Sequence, residues 1–112
     1  MEMGVPIAQH SDYPVAAADP MLRIQSLVTR RTKEGMAIAP EQRISVEEAV
    51  KLWTVKGAYA SFEENIKGSI TMGKLADLVI LGQDPTKVPD DKIKDVSVDM
   101  TIVGGKIVYE RK

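Results

Sequence analysis

Cysteine is absent from this chain of 112 residues, and histidine occurs once. The first absence excludes disulfides, thiol catalysis and thiolate metal sites. The second excludes a typical histidine-rich zinc centre, because catalytic zinc usually takes three protein ligands. Aromatic residues are scarce, at 4%. No apolar run approaches the ~20 residues of a membrane-spanning helix, and no signal-peptide pattern precedes the first apolar segment. An excess of one charge is lacking too, since 15 basic side chains stand against 16 acidic ones. Without a basic field nothing holds nucleic acid or an anionic membrane, and neither is expected as a partner. A cytoplasmic protein is the default expectation.

What is present is the composition of one soluble globular domain, 44% apolar and 28% charged. Such a chain buries roughly two-thirds of its unfolded surface, enough for one core. It is too short for an enclosed enzyme barrel of ~250 residues. Residues 4–8, "GVPIA", read as a short strand. A continuous apolar run suits a buried parallel strand, while Pro6 argues for an edge or a strand start.

Helix punctuation follows. Asp19 is an N-cap and Pro20 occupies the first helical position. Met21, Ile24 and Val28 share a face, with Leu27 beside them. Arg30, Arg31 and Lys33 suit a helix C-terminus, and Gly35 supplies the stop. After the connector "MAIAPEQRI", Ser45 and Glu48 form a capping box. Val46, Ala49, Val50 and Trp53 then follow the spacing of a buried stripe. Gly57 is expected to break or kink this helix, and residues 58–63 to add a further short turn or helix.

From Lys67 onward the pattern turns to β. "GSITMGKLADLVILGQDP" reads as a short strand, a glycine turn and an apolar strand over residues 76–81, with Asp84-Pro85 turning the chain. Val96, Val98, Met100 and Ile102 alternate with polar residues. Gly104-Gly105 permits the positive φ angles of a two-residue type I′ hairpin. That loop predicts Ile102 opposite Ile107 and Met100 opposite Tyr109. There is no internal repeat and no low-complexity tract.

Candidate chemistry centres on "QHSDYPV". On an extended strand His10 and Asp12, two residues apart, would face one pocket at the strand's C-terminal end, where α/β folds place ligands. Asp and Ser before a proline also make good turn residues, and spacing alone favours that plain turn. Gly73, Gly82, Gly104 and Gly105 match no phosphate-binding pattern and read as turn glycines. Lys74 reads as a solvated turn lysine, Trp53 as core, and the Arg30, Arg31, Lys33 cluster as a solvated helix end.

The blocks "HSDYPV", "DPMLRIQSLVTRR", "APEQRISVEEAVKLWTVKGAYASFEE", "KGSITMGKLADLVILGQDP" and "MTIVGGKIVYER" resemble, in this order, the C-terminal region of metal-dependent amidohydrolases. Among these the chain is similar to N-substituted formamide deformylases and related N-acyl hydrolases. The resemblance covers essentially the whole chain. It implies an α+β chain corresponding to the C-terminal part of a (β/α)₈ barrel plus a small composite β-sandwich. Residues 1–66 would hold the last barrel strand and the helices after it, with residues 4–12 as that strand and its catalytic tip. Residues 67–112 would belong to the sandwich, with strands in 67–81 and 95–110.

In that family an aspartate after the last barrel strand binds metal and takes the proton from the attacking water, and Asp12 matches it. The chemistry is sound, since a metal lowers the pKa of its bound water and a neighbouring carboxylate can accept the proton. Asp12 is therefore the expected catalytic and metal-binding residue, with a divalent ion, zinc first, in the full-length parent. The family's other ligands have no counterpart here. His10 stands where many relatives carry glycine, so the resemblance gives it no ligand role. The implied function is a segment of a hydrolase acting on amide or formamide C–N bonds of small molecules, inactive alone and without tight metal binding. Two alternatives stand beside it: a non-catalytic module that self-associates through exposed strand edges, and one half of a split enzyme.

Overall fold

The computed structural model describes residues 4–112, and its helices begin where the capping residues place them. In α1, Pro20–Thr29, the Asp19 carboxylate accepts from the N–H groups of Met21 and Leu22 at 3.0 and 3.2 Å. Met21, Ile24 and Val28 are buried along one face, as the spacing predicts. The helix stops earlier than Gly35. Arg30 takes the left-handed conformation at φ 51° and donates its N–H to the Ser26 carbonyl. The chain then doubles back, with Arg31 bridging Ala37, and Gly35 at φ 88° serves the tip of that loop. The three basic residues thus lie beyond the last helical turn.

In α2, Val46–Trp53, both capping-box hydrogen bonds between Ser45 and Glu48 form at 3.1 Å. Ala49 and Leu52 are its buried residues, while Val46, Val50 and Trp53 pack at the margin of the core. The break that follows falls at Thr54, with φ −120° and ψ −93°, not at Gly57. Gly57 lies inside the next short helix, α3, Val55–Ala60. Two features mark the break. The Thr54 hydroxyl donates back to the Val50 carbonyl at 2.9 Å, and Gly68 presses against the junction from outside.

Three strands form one antiparallel sheet in the order β1-β2-β3: β1 Leu78–Leu81, β2 Val98–Val103 and β3 Lys106–Glu110. The sequence pattern places strands at two further sites where the structure has none. Residues 68–72 form turns and coil, and β1 begins two residues later than expected. Residues 4–8 are exposed and carry no strand pairing. An extended segment becomes a strand only through hydrogen bonds to a neighbour. The link from this region to the body is the Gln9 N–H to the Leu52 carbonyl, at 3.4 Å.

The hairpin turn behaves as expected, with Gly104 and Gly105 at φ 56° and 79° and Ile102 opposite Ile107. Met100 does not meet Tyr109. Tyr109 stands opposite Thr101 and Glu110 opposite Met100. The far end of the hairpin is held separately, by the Arg111 N–H to the Asp99 carbonyl at 2.9 Å and an Arg111–Asp99 ion pair at 3.3 Å. These two anchors are one residue out of phase, and a bulge at Val108 absorbs the difference.

The core gathers Met21, Ile24 and Val28 from α1, Ala49 from α2, and Ile93 and Val96 from the 3₁₀ turn Asp90–Asp95 and the residue after it. It is small. Accessible surface totals 8243 Å², whereas a compact monomer of this 12.3 kDa mass exposes roughly 6,100 Å². Among the described residues no helix is long and apolar enough to cross a membrane.

Gly68 gives a direct test of this packing. At φ 90°, an added Cβ would sit 2.7 Å from the Ala58 Cβ and 3.2 Å from the Val55 Cα. Gly68→Ala is expected to lower unfolding free energy by about 2–3 kcal/mol in urea titrations. Gly73→Ala, at a similar φ but facing open space, should lose only ~1 kcal/mol. Equal losses at both sites would refute the packing account.

Candidate functional site

Asp12 sits in a turn. Its φ is 53°, and its carbonyl accepts the Val15 N–H at 2.8 Å, closing residues 12–15 around a cis Tyr13–Pro14 peptide. The backbone N–H of Asp12 donates to His10 Nδ1 at 3.1 Å. Because Asp12 is in the left-handed region, the two-residue alternation of a strand does not apply here. His10 serves as a local acceptor for the turn instead of presenting both ring nitrogens to a ligand. The Asp12 carboxylate is exposed and accepts no hydrogen bond among the described residues. Local geometry therefore follows the turn alternative.

A metal makes stricter demands than a turn. Among the described residues no group of three or more His, Asp or Glu side chains converges closely enough to hold one. The donors present do not fit a catalytic zinc centre, which needs about three protein ligands around an open position. Asp12 with His10 offers at most one carboxylate and one ring nitrogen, so no reaction step can be routed through a metal on these residues alone.

One concavity lies away from both residues. A cleft of about 440 Å³ runs between the α2–α3 break, residues 67–70 and the start of β1, and neither His10 nor Asp12 lines it. Trp53 borders this cleft, half-buried, and its indole N–H is buried without an acceptor. That is a polar feature the stripe spacing does not reveal. Lys74 is no solvated turn lysine. Its ammonium donates to the Glu64 carbonyl at 2.6 Å, the Ser69 hydroxyl at 2.8 Å and the Lys67 carbonyl at 3.3 Å, cross-bracing the loop that frames the cleft. Three carbonyl and hydroxyl acceptors make it structural.

A sequence model of the amidohydrolase family matches residues 1–109. The chain belongs to the amidohydrolase family. It is 31% identical over 111 residues to an N-substituted formamide deformylase of Arthrobacter pascens, covering 99% of this chain and 20% of that protein. It is 41% identical over 106 residues to the protein LONG AFTER FAR-RED 3 of Arabidopsis thaliana, covering 92% of this chain and 18% of that one. The fold matches an amidohydrolase crystal structure from Thermotoga maritima with a TM-score of 0.72 at 24% identity, over 98% of this chain and 24% of that one. The amidohydrolase chain described here thus spans about a fifth of the length of the relatives it matches.

Three carboxylates of this amidohydrolase segment are tuned by their neighbours. The Ser97 hydroxyl, and then Arg111, hold Asp99 below the usual carboxylate range. Thr86, through both side chain and backbone, lowers Asp84, and Lys67 with Ser61 lowers Glu63. A carboxylate lowered in the folded state stabilises the fold above its unfolded value, ~3.9 for Asp. That contribution disappears as pH falls through the folded-state value. The urea midpoint should hold steady from pH 7 to 5 and drop on acidification below ~4. Asp99→Asn should shrink the acid-dependent part of the drop. A drop of the same size in the variant would show that Asp99 plays no part.

Proposed function

We propose that this chain is the C-terminal segment of a metal-dependent hydrolase acting on amide or formamide C–N bonds. In this reading Asp12 is the one carboxylate it contributes to the catalytic site. The observation that carries the reading is the family match over residues 1–109, joined to a relative named as a formamide deformylase that aligns with 99% of the chain. Residues 4–12 then correspond to the last barrel strand and its tip, residues 1–66 to barrel elements, and residues 67–112 to the small sandwich.

Two features support it physically. Residues 4–8 are apolar yet exposed and unpaired, as a strand separated from its neighbours would be. The Asp12 carboxylate lacks any hydrogen-bond partner among the described residues, which leaves its lone pairs free for a ligand supplied from outside the chain. Because the donor set here is incomplete, zinc and the attacking water belong to the assembled site. The isolated chain is inactive, and a small-molecule amide is the substrate of the whole.

The purified 112-residue chain, supplied with zinc, is expected to hydrolyse N-substituted formamides and N-acyl amines no faster than buffer. It should take up zinc no more tightly than its Asp12→Asn variant does in equilibrium dialysis. Metal-dependent turnover by the chain itself, lost in Asp12→Asn, would overturn the claim of inactivity. Activity that appears only on adding a second polypeptide bearing further histidines would instead identify a split enzyme.

A further inference from the structure

A cavity of about 750 Å³ opens between α1, the loop at residues 31–35 and the 3₁₀ turn Asp90–Asp95. Four cationic residues line it: Arg23 from the helix, Arg31 and Lys33 from the loop, and Lys94 from the turn. Asp19 and Asp91 share the lining. The Asp19 carboxylate already accepts from two N–H groups in the first turn of α1, where the helix dipole offsets its charge. None of the four cations joins an ion pair among the described residues. A chain with 15 basic and 16 acidic side chains thus gathers unneutralised positive charge at one concavity.

Donors are left over there as well. Arg23 is half-buried, and one of its amino groups donates to the Ala17 carbonyl at 3.1 Å. Its Nε–H is buried with no acceptor. Arg31 donates one amino group to the Gly35 carbonyl at 3.0 Å. The Thr32 hydroxyl accepts the Met36 N–H at 3.3 Å and keeps its own proton to donate. The walls are tied together independently of the charges, since the Lys94 N–H donates to the Gln25 side-chain oxygen at 2.9 Å.

We propose that this cavity binds a small phosphate monoester. Charge selects the class of ligand. A phosphate monoester carries about 1.5 to 2 negative charges at pH 7, which matches four cations set against two carboxylates. Guanidinium groups suit it further, because they meet phosphate oxygens through paired, charge-assisted hydrogen bonds. The volume is that of a small-molecule site and leaves room for an organic group beside the phosphate. Asp12 does not line this cavity, and the proposal does not depend on the hydrolase reading.

Isothermal titration of the full 112-residue chain with phenyl phosphate at low ionic strength is expected to show saturable binding, with Kd of about 1 mM or tighter. Phenol, which keeps the ring and lacks the charge, should not bind. Arg23→Gln should weaken binding about tenfold, and Lys94→Gln and Lys33→Gln about fivefold each. The two lysines are exposed, so their variants fold even if Arg23→Gln does not, and circular dichroism checks this. Asp91→Asn, which removes a like charge, should tighten binding about threefold. Lys106→Gln changes the net charge equally but lies outside the cavity, and should leave the affinity unchanged. Absence of saturable binding, phenol binding as tightly as phenyl phosphate, or a loss in Lys106→Gln equal to that in Lys94→Gln would each overturn the proposal.

Discussion

Ile93 has no accessible surface, and the two halves of the chain meet around it. It projects from the 3₁₀ turn Asp90–Asp95 into a cluster of Met21, Ile24, Val28, Ala49 and Val96. A polar bond fixes the approach, since the Lys94 N–H donates to the Gln25 side-chain oxygen at 2.9 Å. Burying one isoleucine contributes about 1.5–3 kcal/mol. Its larger consequence is topological. Val98, the first residue of β2, follows five positions after Ile93, so seating Ile93 on α1 and α2 also sets where the sheet begins. From the β half, Val96 joins this cluster, and Leu81 and Val88 pack at its margin.

Elements whose causes are local could be read directly from the residues. Asp19 and Pro20, and Ser45 with Glu48, place both helix starts because a cap needs only its own first turn. Gly104-Gly105 fixes the hairpin turn for the same reason. Causes that lie far along the chain could not be read this way. The bulge at Val108 arises because Asp99 and Arg111 anchor the far end of the hairpin one residue out of phase with the turn. Leu52 is buried although it lies off the apolar stripe, and the helix breaks at Thr54, where Gly68 packs in from a later loop. Gly57 and Gly35 have low helix propensity, yet α1 ends at Arg30 and α2 at Thr54.

The same distinction governs the candidate site. Turn chemistry in "HSDYPV" is local, and the structure displays it in the His10 ring accepting from Asp12 and the closure of residues 12–15. A catalytic constellation is not local. It needs groups from several elements held together, and the described residues assemble no such set. Spacing alone therefore could not decide what Asp12 does. The role proposed for Asp12 rests on the family resemblance, and its carboxylate accepts no hydrogen bond among the described residues. Lys74 shows the opposite error: a lysine beside a turn glycine looked solvated, but the loop wraps its carbonyls around the ammonium.

The sequence is 44% apolar, the share of an ordinary globular domain, yet among the described residues only eight apolar ones are buried. Register explains where much of the remainder lies. Leu78 stands opposite Ile102, Ile80 opposite Met100, and Ile102 opposite Ile107, so these five side chains share one face of the sheet. Ile80 and Ile107 on that face stay about half exposed, and Val5, Ile7 and Ile70 are exposed elsewhere. Roughly 2,100 Å² of accessible surface beyond that of a compact monomer is comparable to one partner's share of a large obligate interface. Isolated apolar side chains on a surface need no explanation, but a contiguous face does. Five apolar side chains aligned across three strands, two of them about half exposed, make such a contiguous face.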